Sequence, residues 1–163
     1  MKVRSIEAII RALNEARVEY LVVGGLAVNA HGYLRATRDI DLVIGLETEN
    51  ARRGMNALLA IGYRMAIPEP PELFADPIAR GRWRREKQMI VLKLWSDAHR
   101  TTPVDIFIYE PLDFKAEYAR ADLIEIADDL KAPFVTFDSL VAMKKEAARP
   151  QDLVDIEELL RGR

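Results

Sequence analysis

The chain has no cysteine and only two histidines, His31 and His99. Disulfide frameworks and thiolate zinc sites are therefore excluded, and a histidine-rich metal site is not expected. A reducing compartment is permitted by this composition but not required. No stretch reaches the roughly 20 apolar residues of a membrane span. The N-terminal segment carries charges at Lys2, Arg4, Glu7, Arg11, Glu15, Arg17 and Glu19. It leaves no apolar run long enough for a signal core. A cytoplasmic protein with no membrane partner is the expectation. Excess charge is also scarce: the net charge is −2, too little of one sign for wholesale nucleic-acid binding by bulk positive charge.

What is present fits one globular domain. The 163 residues are 50% hydrophobic and 31% charged, enough to bury a core without staples. The charge is unevenly shared: residues 1–100 carry 16 Lys/Arg and 12 Asp/Glu, and residues 101–163 carry 8 and 14. That split gives net +4 and −6, read either as a polarised surface or as scattered solvated charge. No internal repeat or low-complexity tract occurs. Pro68-Glu69-Pro70-Pro71 reads as a stiff loop inside the domain.

Periodicity and punctuation predict the elements. Ser5 is placed to cap a first helix with Ile6, Ile9, Ile10 and Leu13 on one face. Tyr20–Val23 reads as a buried strand ending in Gly24-Gly25, followed by a helix over Leu26–His31 that Gly32 closes. Ile40–Ile44 reads as a strand, Glu47–Ile61 as a helix stopped by Gly62, and Tyr63–Ile67 as a short strand. Met89–Trp95 and Val104–Tyr109 are two further strands joined by turn-forming residues. Asp113–Ala121 is expected to be helical and Phe134–Phe137 a weak strand. Helices over Asp138–Ala148 and Pro150–Arg161 complete the chain. The fold class is α+β: a mixed sheet flanked by helices over residues 1–137, with a helical tail over 138–163 packed on it.

Three features carry chemistry. The Gly24-Gly25 turn lies between strand and helix, where the missing side chains let backbone approach a bound group. It lacks the spacing of a Walker A loop or a dinucleotide fingerprint, and alone it is also an ordinary turn. Asp39 and Asp41 lie two apart at a strand, so both carboxylates share a face. Such a pair repels unless a cation lies between, and magnesium suits carboxylate oxygens plus substrate phosphate. Asp105 is the single acid in the apolar run Val104–Ile108, so it meets either solvent at a strand end or a metal. Together the three acids and the glycine turn make a layout for phosphoryl or nucleotidyl transfer.

The segment from Gly24 to Leu42, with Gly-Tyr-x-Arg-x-Thr-x-Asp-Ile-Asp-Leu at its end, resembles the signature of the DNA polymerase β-like nucleotidyltransferase superfamily. Residues 26–38 separate Gly25 from Asp39, which suits that pattern. This form, with Leu140 to Ile156 at the other end, is similar to the abortive-infection, type IV toxin-like branch. The resemblance implies magnesium or manganese held by Asp39, Asp41 and Asp105, with Asp105 helping to deprotonate an attacking hydroxyl. It implies a nucleoside triphosphate cradled by Gly24 and Gly25, contacted by Lys144, and approached by Arg35 and Thr37, which equally suit a loop brace. The acceptor would be RNA, a protein or a small molecule, and an antitoxin protein is an expected partner if the chain is a toxin. A catalytically lapsed domain that binds nucleotide or a partner is the alternative. Arg149, Asp152 and Asp155 are expected to form a polar cluster between the last helices. The basic run around Arg82, Trp83 and Arg84 reads either as a grip on an RNA acceptor, with the indole stacking a base, or as a solvated helix with Trp83 in the core.

Overall fold

The computed structural model describes residues 1–163. Its centre is a mixed sheet of seven strands in the order β3-β4-β5-β2-β1-β7-β6. These are β1 (Tyr20–Val23), β2 (Ile40–Ile44), β3 (Tyr63–Met65), β4 (Val91–Ser96), β5 (Val104–Phe107), β6 (Asp122–Ala127) and β7 (Leu130–Phe134). The helices are α1 (Val3–Glu15), α2 (Gly24–Ala30), α3 (Thr48–Ala60), α4 (Pro77–Lys87), α5 (Phe114–Ala119), α6 (Phe137–Ala147) and α7 (Pro150–Arg161).

Strands β1 and β2 are antiparallel, and β2 pairs with β5 in parallel. Ile40, Leu42 and Ile44 are all fully or almost fully buried and point one way by strand alternation. That face is covered by α3, whose Gly54 lies so close that a Cβ there would meet Ile44 at 3.1 Å. Ile9, Ile10 and Leu13 of α1 are buried in the same core, as their spacing predicts.

The elements depart from expectation in several places, and α4 is a helix where the periodicity predicted none. Lys2, not Ser5, is the N-cap of α1. Ser5 lies inside the helix, its hydroxyl 2.8 Å from His99 Nδ1, so it ties α1 to the β4–β5 connection. Helix α2 starts at Gly24 itself. Strand β7 ends at Phe134 and Phe137 opens α6, so the strand expected over 134–137 sits earlier. Edge strand β6 was not foreseen: it carries only half-buried and exposed side chains, leaving no apolar run to mark it. It joins β7 through a tight turn in which Asp129 takes φ 59°, a left-handed conformation that aspartate tolerates.

Candidate active site

The sheet register brings the acids together. Asp41 stands opposite Val23 on one side and Asp105 on the other. Asp105 in turn stands opposite Lys93 of β4. Directly opposed residues share a face, so Asp41, Asp105 and Lys93 form one row across three strands, with Asp39 two residues before Asp41. The Lys93 ammonium donates to Asp105 Oδ1 at 2.9 Å and lies 3.7 Å from Asp39 Oδ2.

The glycine turn closes one side of this row. Gly24 has φ 66°, and a Cβ there would fall 2.1 Å from Asp41 Oδ2. Both the left-handed backbone and the contact demand glycine. A Cβ on Gly25 would fall 2.4 Å from Thr37 Oγ1, so the turn also packs on the loop that leads to Asp39. Thr37 faces that turn, and its hydroxyl donates a long bond to the Asp39 carbonyl at 3.4 Å.

Electrostatics separate the three acids. Burial raises the Asp41 pKa to about 7, and the neighbouring charges of Asp105 and Asp39 add to the rise. Burial also raises the Asp105 pKa, while the Lys93 hydrogen bond and charge oppose it. Lys93 is held above its ordinary value: Asp105 and Asp39 outweigh a larger single penalty from desolvation. The donor set is all oxygen and fits a hard divalent ion, and the mutual repulsion that raises Asp41 is what such an ion relieves. As they stand, no three carboxylates converge on one point. The Lys93 ammonium lies against two of them.

The remaining sequence-predicted residues fall into two groups. Lys144 is buried, with Nζ 3.0 Å from Asp152 Oδ1 and 2.9 Å from Asp155 Oδ2. It does not extend to solvent along its helix face. Arg35 makes a two-point ion pair with Asp155, at 2.7 and 2.8 Å. Arg149 pairs with Asp152 at 2.8 Å, and its backbone N–H donates to the same carboxylate at 3.0 Å. This five-residue network ties the 35–37 loop to α6 and α7 and carries three cations against two acids. Lys144 and Arg149 are near enough to Asp41 to pull its pKa down against the stronger effect of burial.

The second group lies on α4. Trp83 is 0% exposed, its indole N–H directed at Glu69 Oε1 across 3.4 Å. It has no face to offer a base, so of the two readings of Trp83 the core position holds and the stacking one does not. Arg82 pairs with Glu69 at 3.2 Å. The Arg84 guanidinium lies 3.7 Å from the centre of the Tyr109 ring. Lys93 is the site residue that sequence reasoning missed. Its only local signal is alternation, a lysine between buried Leu92 and Leu94.

No protein-family model and no curated protein matches the chain. Three solved structures share its fold. A lincosamide antibiotic adenylyltransferase, LnuA, bound to lincomycin, matches with TM-score 0.60 and 16% identity, over 93% of this chain and 91% of its own. The antibiotic-resistance factor ANT(2'')-Ia matches with TM-score 0.61 and 15% identity, over 98% and 83%. An antigenic nucleotidyltransferase-like protein from Paracoccidioides brasiliensis matches with TM-score 0.58 and 15% identity, over 98% and 75%. The chain thus has the nucleotidyltransferase fold over nearly its whole length. No helix in it is long and apolar enough to cross a membrane.

Proposed function

We propose that the chain is a metal-dependent nucleotidyltransferase. It would move a nucleoside monophosphate from a triphosphate to an acceptor hydroxyl. The observation that carries this reading is the row of Asp41 and Asp105, with Asp39 beside it and Gly24 packed against Asp41 Oδ2, in a chain of nucleotidyltransferase fold. Asp39, Asp41 and Asp105 would hold magnesium or manganese, which when bound supplies charge neutralisation at the phosphates.

Asp105 stands beside Asp41 in the row. Its raised pKa suits it to accept the proton of the attacking hydroxyl. The hydroxyl oxygen forms a bond to the α-phosphorus. The bond from that phosphorus to the bridging oxygen breaks, and pyrophosphate leaves with the electron pair. Gly24 and Gly25 would let backbone approach the β- and γ-phosphates. Lys144 and Arg149 contribute positive charge near Asp41, and Arg35 is held by Asp155 in the same network. Thr37 borders the same turn.

The test is calorimetric titration of each nucleoside triphosphate with magnesium, on wild type and on Asp41→Asn, followed by labelled transfer. Binding by wild type that Asp41→Asn loses is the expected result. Folded Asp41→Asn with undiminished binding and transfer would overturn the reading. The Lys93–Asp105 ion pair favours one alternative, a catalytically lapsed domain that binds nucleotide or a partner. Binding without transfer to any acceptor would establish it. A cytoplasmic toxin held by an antitoxin protein rests on the resemblance at residues 24–42 and 140–156. It predicts growth arrest on expression of wild type and none with Asp41→Asn.

A further inference from the structure

The sheet has two edges, and they are unlike. Strand β3 closes one with three residues, and β6 closes the other with six. Strand β6 lies outside β7 and has no strand on its other side. The Val135 N–H donates to Val22 O at 3.1 Å, so residues 133 and 135 turn towards β1 and residues 132 and 134 turn towards β6. Ile124 and Asp122 stand opposite Ala132 and Phe134, so these two bond to β7. The N–H and C=O of Leu123 and Glu125 therefore point away from the sheet, at an edge another strand can pair with.

An apolar groove adjoins this edge. Val3 and Ile6 of α1, Leu26 and Ala30 of α2, and Ile124 and Ile126 of β6 line a space of about 320 Å³. Val3 is 66% exposed there, and Glu7 is the one charged residue of the lining. A strand laid along β6 sends every second side chain to the face of Ile124, beside this groove, and the others to the face of Glu125.

Charge selects what that strand can be. The β6–β7 hairpin carries Asp122, Glu125, Asp128 and Asp129, and its one cation is Lys131, opposite Glu125. Glu125, Asp128 and Asp129 make no ion pair, and Asp122 has only His31, at 3.8 Å. A second copy pairing its β6 on this one would set Asp122 and Glu125 against the same acids, and like charges across a strand pair destabilise it. A segment carrying lysine or arginine meets the opposite charge.

We propose that β6 is a docking edge for an extended segment of a partner protein in which apolar residues alternate with lysine or arginine. The segment adds an eighth strand and takes the free N–H and C=O groups of Leu123 and Glu125. Its apolar side chains lie against the groove, and its cations lie beside Glu125 and the acids of the turn. The edge shares no residue with the acid row, so the function proposed above does not enter this inference.

The probe is a fluorescein-labelled peptide, Lys-Val-Lys-Ile-Lys-Val-Lys with blocked ends, titrated with the whole chain by fluorescence anisotropy. Amide hydrogen exchange of the protein is read in parallel by NMR. Binding is expected below about 1 mM and weakens as salt rises. Exchange at the Leu123 and Glu125 amides is expected to slow on binding, while Asp122 and Ile124 stay as they were. Leu123→Pro removes an outward donor that β7 does not use and is expected to weaken binding about tenfold. Glu125→Lys and Val3→Glu are each expected to weaken it several-fold, the first through charge and the second through the groove. The same peptide with glutamate for lysine is expected not to bind. No binding at about 1 mM, equal binding of the glutamate peptide, or unchanged exchange at Leu123 and Glu125 in the bound protein would each overturn the docking edge. A dimer of the chain alone that Leu123→Pro abolishes would overturn it in favour of a second copy. Should Leu123→Pro fail to fold, wild-type exchange and Glu125→Lys decide the matter.

Discussion

Two charge clusters lie within one small region of this protein, and they are opposites. In the network between the 35–37 loop, α6 and α7, two carboxylates meet three cations. Burial pushes the Asp155 pKa up, but hydrogen bonds from Arg35, Lys144 and Gln151 overcome that and hold it down at about 2. In the Asp39–Asp41–Asp105 row, three carboxylates meet one lysine, and burial with mutual repulsion lifts Asp41 to about 7. The residue type is the same in both places, and burial pushes the carboxyl pKa up in both. The supply of donors differs. A cluster whose charges are met inside the chain braces the fold. A cluster left short of cations is what the proposed divalent ion would relieve.

The largest effect expected from breaking this contrast is on the brace. Asp155→Ala removes the ion-pair partner of Arg35 and leaves Lys144 with Asp152 alone, and breaking a buried pair typically costs about 3–5 kcal/mol. Denaturant titration should show that loss, with Tm falling roughly 2–4 °C for each kcal/mol. Variants of the acid row should show nothing of the kind.

Second comes the pH response of the metal-free protein. The Asp41 pKa is raised on folding, so its contribution to stability is present below the ordinary carboxylate pKa. That contribution is lost as pH rises through about 7. The Asp155 pKa is lowered, so its contribution is present above the ordinary value and lost as pH falls through about 2. Asp41→Asn should therefore be the more stable protein at pH 8 in chelator, by about 1–4 kcal/mol. The gap should shrink towards pH 4. A gap that grew as pH fell would reverse the sign assigned to Asp41.

The smallest effect concerns Lys93, which is half exposed. Its ion pair is expected to stabilise the metal-free protein by less than about 1 kcal/mol. Lys93→Met should lower Tm slightly in chelator and tighten magnesium or manganese binding a few-fold, read by the ion-induced rise in Tm. Weaker ion binding by Lys93→Met would make the lysine a support for the metal site rather than its competitor.

Much of the acid row is legible in the linear chain because its logic is local. Gly24-Gly25 ends an apolar strand, Asp39 and Asp41 are two apart on the next, and Asp105 interrupts an apolar run. Each of these signals fits within a few residues. Lys93 and Trp95 are different. Their meaning depends on which residue of β5 each stands beside, and no local pattern sets the pairing of β4 on β5. The two tryptophans make the point. Trp83 has four arginines within three residues on either side, at 80, 82, 84 and 85, so the sequence leaves it open between stacking a base and filling the core. It is fully buried, while Trp95, two residues beyond Lys93, is 47% exposed.

Lys144 divides the two levels again. Its place beside Leu140 and Met143 marks the border of a helix face, where a lysine can extend to solvent or turn inward. The inward choice depends on Asp152 and Asp155 arriving from α7, one turn apart on the face that meets α6. The sequence by itself determined the α+β class, the Gly24-Gly25 turn and the spacing of Asp39, Asp41 and Asp105, because periodicity, turn chemistry and spacing act over a few residues. Only the tertiary structure decided which charges are satisfied, which tryptophan is open and what stands next to Asp105, because burial and strand register are properties of elements far apart in the chain.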